Sequence, residues 1–223
     1  MAKKIPFEID KDLFRKNLSK YTRKAFSTLP KLENPTILDI GCGSGVPTLE
    51  LASLSNGKIT AIDIDEISLS KLRNKIAKEK LSSRINIIQC SIFELDFPNE
   101  IFDIIWAEGS ISVIGFEKGL KEWKALLTPR GFLMVHDSQG DLQIKLSIIR
   151  KCGYQIIDYF SLSKSVWLDE YFMPLQKHID ILRTEFACNR KALSVIKKEQ
   201  NEIDDFRQNN VKNESIFFIL QKL

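Results

Sequence analysis

Short apolar runs alternate with helix-patterned stretches along most of this chain, and that alternation limits its fold more than any other feature. Ile37 to Ile40 reads as a buried strand, followed by a glycine turn and a helical stretch around Thr48 to Ala52. Lys58 to Ile64 is a second strand, after which Ile67, Leu69, Leu72, Ile76 and Leu81 carry the spacing of one helix face. Arg84 to Cys90 and Ile101 to Trp106 give strands three and four. Phe116 to Leu127 is a helix stopped by Pro129, and Gly131 to Asp137 is strand five. Such alternation implies a parallel sheet with right-handed crossovers and helices on both faces. The expected fold class is therefore α/β, a doubly wound and mostly parallel sheet.

Beyond strand five the rhythm changes. Leu142 to Cys152 reads as a helix, Tyr154 to Ser161 as a sixth strand and Ser215 to Leu220 as a seventh. The mostly helical stretch Leu162 to Asn213 is far too long for a loop and is read as an insertion. One domain over 1–223 is expected: a helical extension at 1–33, a core at 34–161, the insertion or lid at 162–213 and the last strand at 214–223. At 223 residues and 43% apolar side chains, such a domain can bury a full core. No apolar run is long enough to span a membrane and Met1 to Pro6 opens no signal-peptide core, so a cytoplasmic location is expected. Cys42, Cys90, Cys152 and Cys188 are scattered without a CxxC pair, and no metal site is expected. Nine Lys and Arg stand against three Asp and Glu in the first 31 residues, Lys3 and Lys4 among them. Few aromatics are interleaved, so this is read as a solvated helix.

The chemistry concentrates at Asp39-Ile40-Gly41-Cys42-Gly43-Ser44-Gly45. Glycines permit positive φ and close approach of a ligand to the backbone, while the following helix presents its N-terminal amides. A dehydrogenase fingerprint would need a third glycine where Val46 stands, which disfavours hydride transfer. Asp63 closes strand two about twenty residues on, where a carboxylate can accept both hydroxyls of a ribose.

Ile37 to Ala52, with its Leu-Asp-Ile-Gly-Cys-Gly-Ser-Gly centre, resembles the first motif of class I S-adenosylmethionine-dependent methyltransferases, and Ala61-Ile62-Asp63-Ile64 resembles their second. Cys90-Ser91-Ile92 falls where that family contacts adenine. Phe102 to Trp106 resembles its fourth-strand motif, and Leu127 to Leu133 the turn into strand five. The likeness covers roughly residues 34 to 137 and is nearer to the small-molecule branch that includes the quinone-biosynthesis C-methyltransferases. It implies a seven-stranded, Rossmann-like sheet with an antiparallel last strand. It implies S-adenosyl-L-methionine as cofactor, held by Asp39, Gly41, Gly43, Gly45, Asp63, Ile64, Ser91, Ile92 and Glu108. Arg130 stands where the family often has glycine. The Asn/Asp-Pro-Pro-Tyr/Phe motif of amino-methylating nucleic-acid enzymes is replaced by Ala107-Glu108-Gly109-Ser110, so nucleic acid is not the expected partner.

Ligands of open α/β sheets bind beyond the carboxyl ends of the strands. Glu108 and Asp137 are accordingly the candidate catalytic bases, with His136 beside them. Trp167 and Tyr171, four apart on a helix, are candidate substrate contacts on a lid, and Tyr21 and Phe26 candidates for an opposite wall. The expected partner is a small-molecule acceptor, with a homodimer as the self-association in view. Methylation of rRNA or a protein, and cofactor binding without catalysis, are the alternatives.

Overall fold

The structure, a computed structural model, describes residues 7–208 and 214–223; Lys3, Lys4 and the last five residues of the expected insertion lie outside them. In chain order the elements are α1 (Asp12–Arg15), a 3-10 turn (Lys16–Leu18), α2 (Ser19–Ser27), β1 (Thr36–Ile40), α3 (Val46–Leu54), β2 (Lys58–Asp63), α4 (Glu66–Lys78) and β3 (Ile85–Gln89). There follow β4 (Phe102–Glu108), α5 (Ile111–Ile114), α6 (Phe116–Leu126), β5 (Leu127–Ser138), α7 (Leu142–Lys151) and β6 (Tyr154–Leu162). The remainder is α8 (Lys164–Trp167), a π-helical turn (Leu168–Phe172), α9 (Met173–Glu185), α10 (Arg190–Gln208) and β7 (Ser215–Lys222).

The seven strands form one sheet in the order β3-β2-β1-β4-β5-β7-β6. β1 to β5 pair in parallel, and β7 runs antiparallel to β5. The fold is thus the seven-stranded, doubly wound α/β class that the sequence points to. Burial on both faces explains the near-continuous apolar strands: all of β1 but its first residue is buried, and so are six residues of β7. One face packs Leu38, Ile105, Leu133, Val135, Ile216 and Phe218 against Leu120 and Trp123 of α6 and Ile149 of α7.

Local chemistry sets the element boundaries. α4 forms despite Ser68 and Ser70 because Asp65 caps it, accepting from the Ile67 and Ser68 amides at 3.1 and 3.2 Å. Leu69, Leu72 and Ile76 then face inward as their spacing predicts. β5 begins earlier than the sequence suggests. Phe102 pairs with Leu127 but Ile104 with Phe132, so Thr128 to Gly131 bulge out between them. Pro129 sits in that bulge, where its missing N–H removes no ladder bond, and helix passes directly into strand.

The chain divides into two compact units. The larger, residues 19–161 and 214–223, holds the sheet and its helices. The smaller takes in, among the described residues, 7–18 and 162–208. Its own core gathers Ile9, Phe14, Tyr171, Phe172, Leu175, Ile179, Ile196 and Ile203, and Lys11 bridges Glu199 and Glu202 at 3.1 and 3.0 Å.

Candidate functional site

The site is built where β1, β2 and β4 end. Gly41 and Gly45 have φ of +73° and +85°, and space is as restrictive as backbone. A Cβ on Gly41 would stand 2.5 Å from the Ser110 Cβ, and one on Gly45 would stand 2.1 Å from Leu72 Cδ1. The turn therefore packs against the segment after β4 on one side and against α4 on the other. At Gly43 nothing lies within 4 Å of an added Cβ, so this is the side from which a ligand can reach the backbone.

Asp63 locks that turn. Its Oδ2 accepts from the Gly43 amide at 2.8 Å and its Oδ1 from the Asp65 amide at 2.9 Å. Each carboxylate oxygen keeps further acceptor capacity for a hydroxyl. Asp39 is 1% exposed and receives the Thr48 hydroxyl at 2.6 Å, joining β1 to α3 beneath the turn. Burial pushes its carboxyl up to about 7; the Thr48 bond opposes this, while Glu108 and Asp63 add repulsion. Burial also raises the Cys42 thiol, with Asp39 and Asp63 adding to the shift, so Cys42 is an inert filler of the turn.

Glu108 closes β4. Its Oε1 accepts from the Trp106 indole at 2.9 Å and from the Thr22 hydroxyl of α2 at 2.8 Å. Two residues on, the Ser110 hydroxyl donates to the Ile40 carbonyl at 2.6 Å, clamping the ends of β1 and β4 together. His136 pairs with Glu108 in the sheet; its ring stacks on Phe217 at 4.0 Å and its Nε2 lies 2.8 Å from the Ser215 hydroxyl. Asp137 is one residue further and hence on the other face of the sheet. There it forms a buried ion pair with Lys145 of α7 at 2.6 Å. The structure therefore brings Glu108 and His136 to one face and gives Asp137 a structural partner instead.

Ile64 is 68% exposed beside Asp63, an apolar surface ready for a flat ring. Across from it the Cys90 amide donates to the Asp63 carbonyl at 3.1 Å, and Ser91 starts the next turn by accepting from the Phe93 amide at 3.2 Å. Ile92 packs against the sheet's core. On α2, Phe26 lies 6.1 Å from the Trp106 ring and Tyr21 takes the Lys20 ammonium at 5.2 Å. Trp167 and Tyr171 do share a face, edge to ring at 6.1 Å, but Tyr171 is 6% exposed and belongs to the smaller unit's core. Among the described residues no group of three or more His, Cys, Asp and Glu is arranged to hold a metal ion.

Sequence reasoning missed Thr22, Thr48 and Ser110. No local pattern marks a hydroxyl whose partner lies 86 residues away, as for Thr22 and Glu108.

Residues 37–131 match the family model described as a methyltransferase domain. The 27-O-demethylrifamycin SV methyltransferase of Amycolatopsis mediterranei is 25% identical over 159 residues, covering 69% of this chain and 56% of that one. The chain spans about half the length of the curated relatives it matches. Among solved structures, the [4+2]-cyclase SpnF superposes with a TM-score of 0.75 at 19% identity, over 91% of this chain and 80% of that one. A Haemonchus contortus phosphoethanolamine N-methyltransferase in complex with S-adenosyl-L-methionine superposes with a TM-score of 0.72 at 18% identity, over 93% and 52%. Residues 37–131 thus resemble a methyltransferase domain, set in a seven-stranded sheet like that of solved class I methyltransferases, one of which holds S-adenosyl-L-methionine.

Proposed function

We propose that this chain transfers a methyl group from S-adenosylmethionine to a small-molecule acceptor. The observation that carries the reading is Asp63, a carboxylate fixed through both oxygens at the end of β2 and bonded to the glycine turn it faces. The residues present fit the cofactor: an open backbone at Gly43, an exposed apolar wall at Ile64 and carboxylates at Asp63 and Glu108 around a positively charged ligand. The cofactor would supply a methyl on a sulfonium, open to direct attack by an acceptor nucleophile, with S-adenosylhomocysteine as the leaving group. The protein's share is orientation and exclusion of water, because such a methyl needs little further activation. Asp63 holds the ribose, Ile64 and Ile92 flank the base, Glu108 faces the cofactor's charged end and His136 the acceptor's side. Asp137 secures α7 to the sheet through Lys145.

A small-molecule acceptor is supported by the relative named for 27-O-demethylrifamycin SV and by the likeness to the quinone-biosynthesis C-methyltransferases. The test is calorimetric titration of S-adenosylmethionine into the wild type and Asp63→Ala, both checked for folding. Affinity should fall at least about tenfold, ~1.4 kcal/mol, in the variant. Absence of binding by the folded wild type sinks the reading. The likeness to a [4+2]-cyclase favours a second reading, in which the cofactor is held without methyl transfer. Acceptor screening with labelled methyl groups separates the two.

A further inference from the structure

We infer that Thr22 is a positioning residue that, with Trp106, fixes Glu108 as an anionic anchor for the positively charged methyl donor. The inference rests on the S-adenosylmethionine reading above. Thr22 lies in the second turn of α2, 3% exposed, and its hydroxyl reaches the Glu108 Oε1 at 2.8 Å. The Trp106 indole, fully buried, donates to the same oxygen at 2.9 Å. A carboxylate oxygen that accepts two hydrogen bonds is stabilised in its charged form.

The anchor stands beside the cofactor turn. Ser110, two residues after Glu108, fills the space a Cβ on Gly41 would need and bonds the Ile40 carbonyl. Glu108 thus adds a second carboxylate to Asp63, which enters no ion pair among the described residues. Fixed negative charge of this kind favours a cation that arrives from solvent.

The test titrates S-adenosylmethionine and S-adenosylhomocysteine, which share the amino group but differ in the charge on sulfur, into the wild type, Thr22→Val, Thr22→Ser and Glu108→Gln. Thr22→Val keeps the shape of a buried side chain, and circular dichroism checks each fold. Glu108→Gln should weaken the charged donor about tenfold and Thr22→Val about threefold, ~0.65 kcal/mol by the same conversion, with Thr22→Ser near the wild type. A loss confined to S-adenosylmethionine places the anchor at the sulfonium; an equal loss of both ligands places it at the amino group. Unchanged affinities in Glu108→Gln overturn the anchor. A Thr22→Val indistinguishable from the wild type, with Glu108→Gln weakened, overturns the positioning role alone. A folded wild type that binds neither ligand fails at the cofactor reading instead.

Discussion

Asp39 lies beneath the glycine turn with its carboxyl pushed up to about 7, first by burial and then by the neighbouring carboxylates. In the unfolded chain the same group titrates near its ordinary value of 3.8. Between those values the folded state holds a proton that the unfolded state has released. The contribution of Asp39 to stability is therefore fully present below about pH 4 and is lost as pH rises through about 7. Asp39→Asn does not titrate and keeps an acceptor for Thr48. Its melting temperature should accordingly fall less than that of the wild type between pH 5 and pH 8, as read by scanning calorimetry. Parallel curves would clear Asp39 of the effect. At this scale the sequence was legible where a residue's role is local: Asp39, Gly41, Gly43, Gly45 and Asp63 announce themselves by spacing along one turn and one strand end. It was silent where the partner is distant. Thr22 acquires its meaning from Glu108 only once α2 has docked, and Asp137 acquires Lys145 only once alternation along β5 turns it away from His136.

Among the elements, strand and helix positions in the core followed from hydrophobic period because both faces of the sheet are buried and little else competes. The exceptions sit where conformation rather than apolarity decides. α5 spans four residues between Ser110 and Gly115, too short for any period to register. The start of β5 was hidden because Pro129 reads as a breaker until the bulge removes the need for its amide. In that bulge Arg130, exposed to solvent, adopts φ of +62°, where a β-carbon is unfavourable. Arg130→Gly should therefore stabilise the protein by about 0.5–1 kcal/mol, the left-handed penalty less the larger chain entropy of glycine when unfolded. Urea unfolding measures it, and a destabilised variant would mean that the arginine side chain holds the bulge. The mostly helical character of 162–208 was legible too, yet its aromatics were not. Tyr171 at helical spacing from Trp167 looks alike whether it faces a ligand or, as here, a core of Phe14, Phe172 and Ile179.

Across the molecule, the seventh strand in chain order is not at an edge. β7 lies between β5 and β6, and its seven paired residues from Ser215 to Gln221 zip along β5 from Ser138 back to Phe132. Deleting residues 214–223 should leave β5 without its partner and strand β6 from the sheet, exposing edges that recruit other chains. The truncated protein should collect in the insoluble fraction where the intact chain stays dissolved, and equal recovery of the two would contradict this. During synthesis the same arrangement imposes a wait. Once β6 has left the ribosome, roughly fifty more residues must be translated before β7 emerges, about 3–10 s at ordinary elongation rates. Through that interval β5 and β6 have no neighbour to join them, so the nascent chain is a natural client for chaperones that shield unpaired strands.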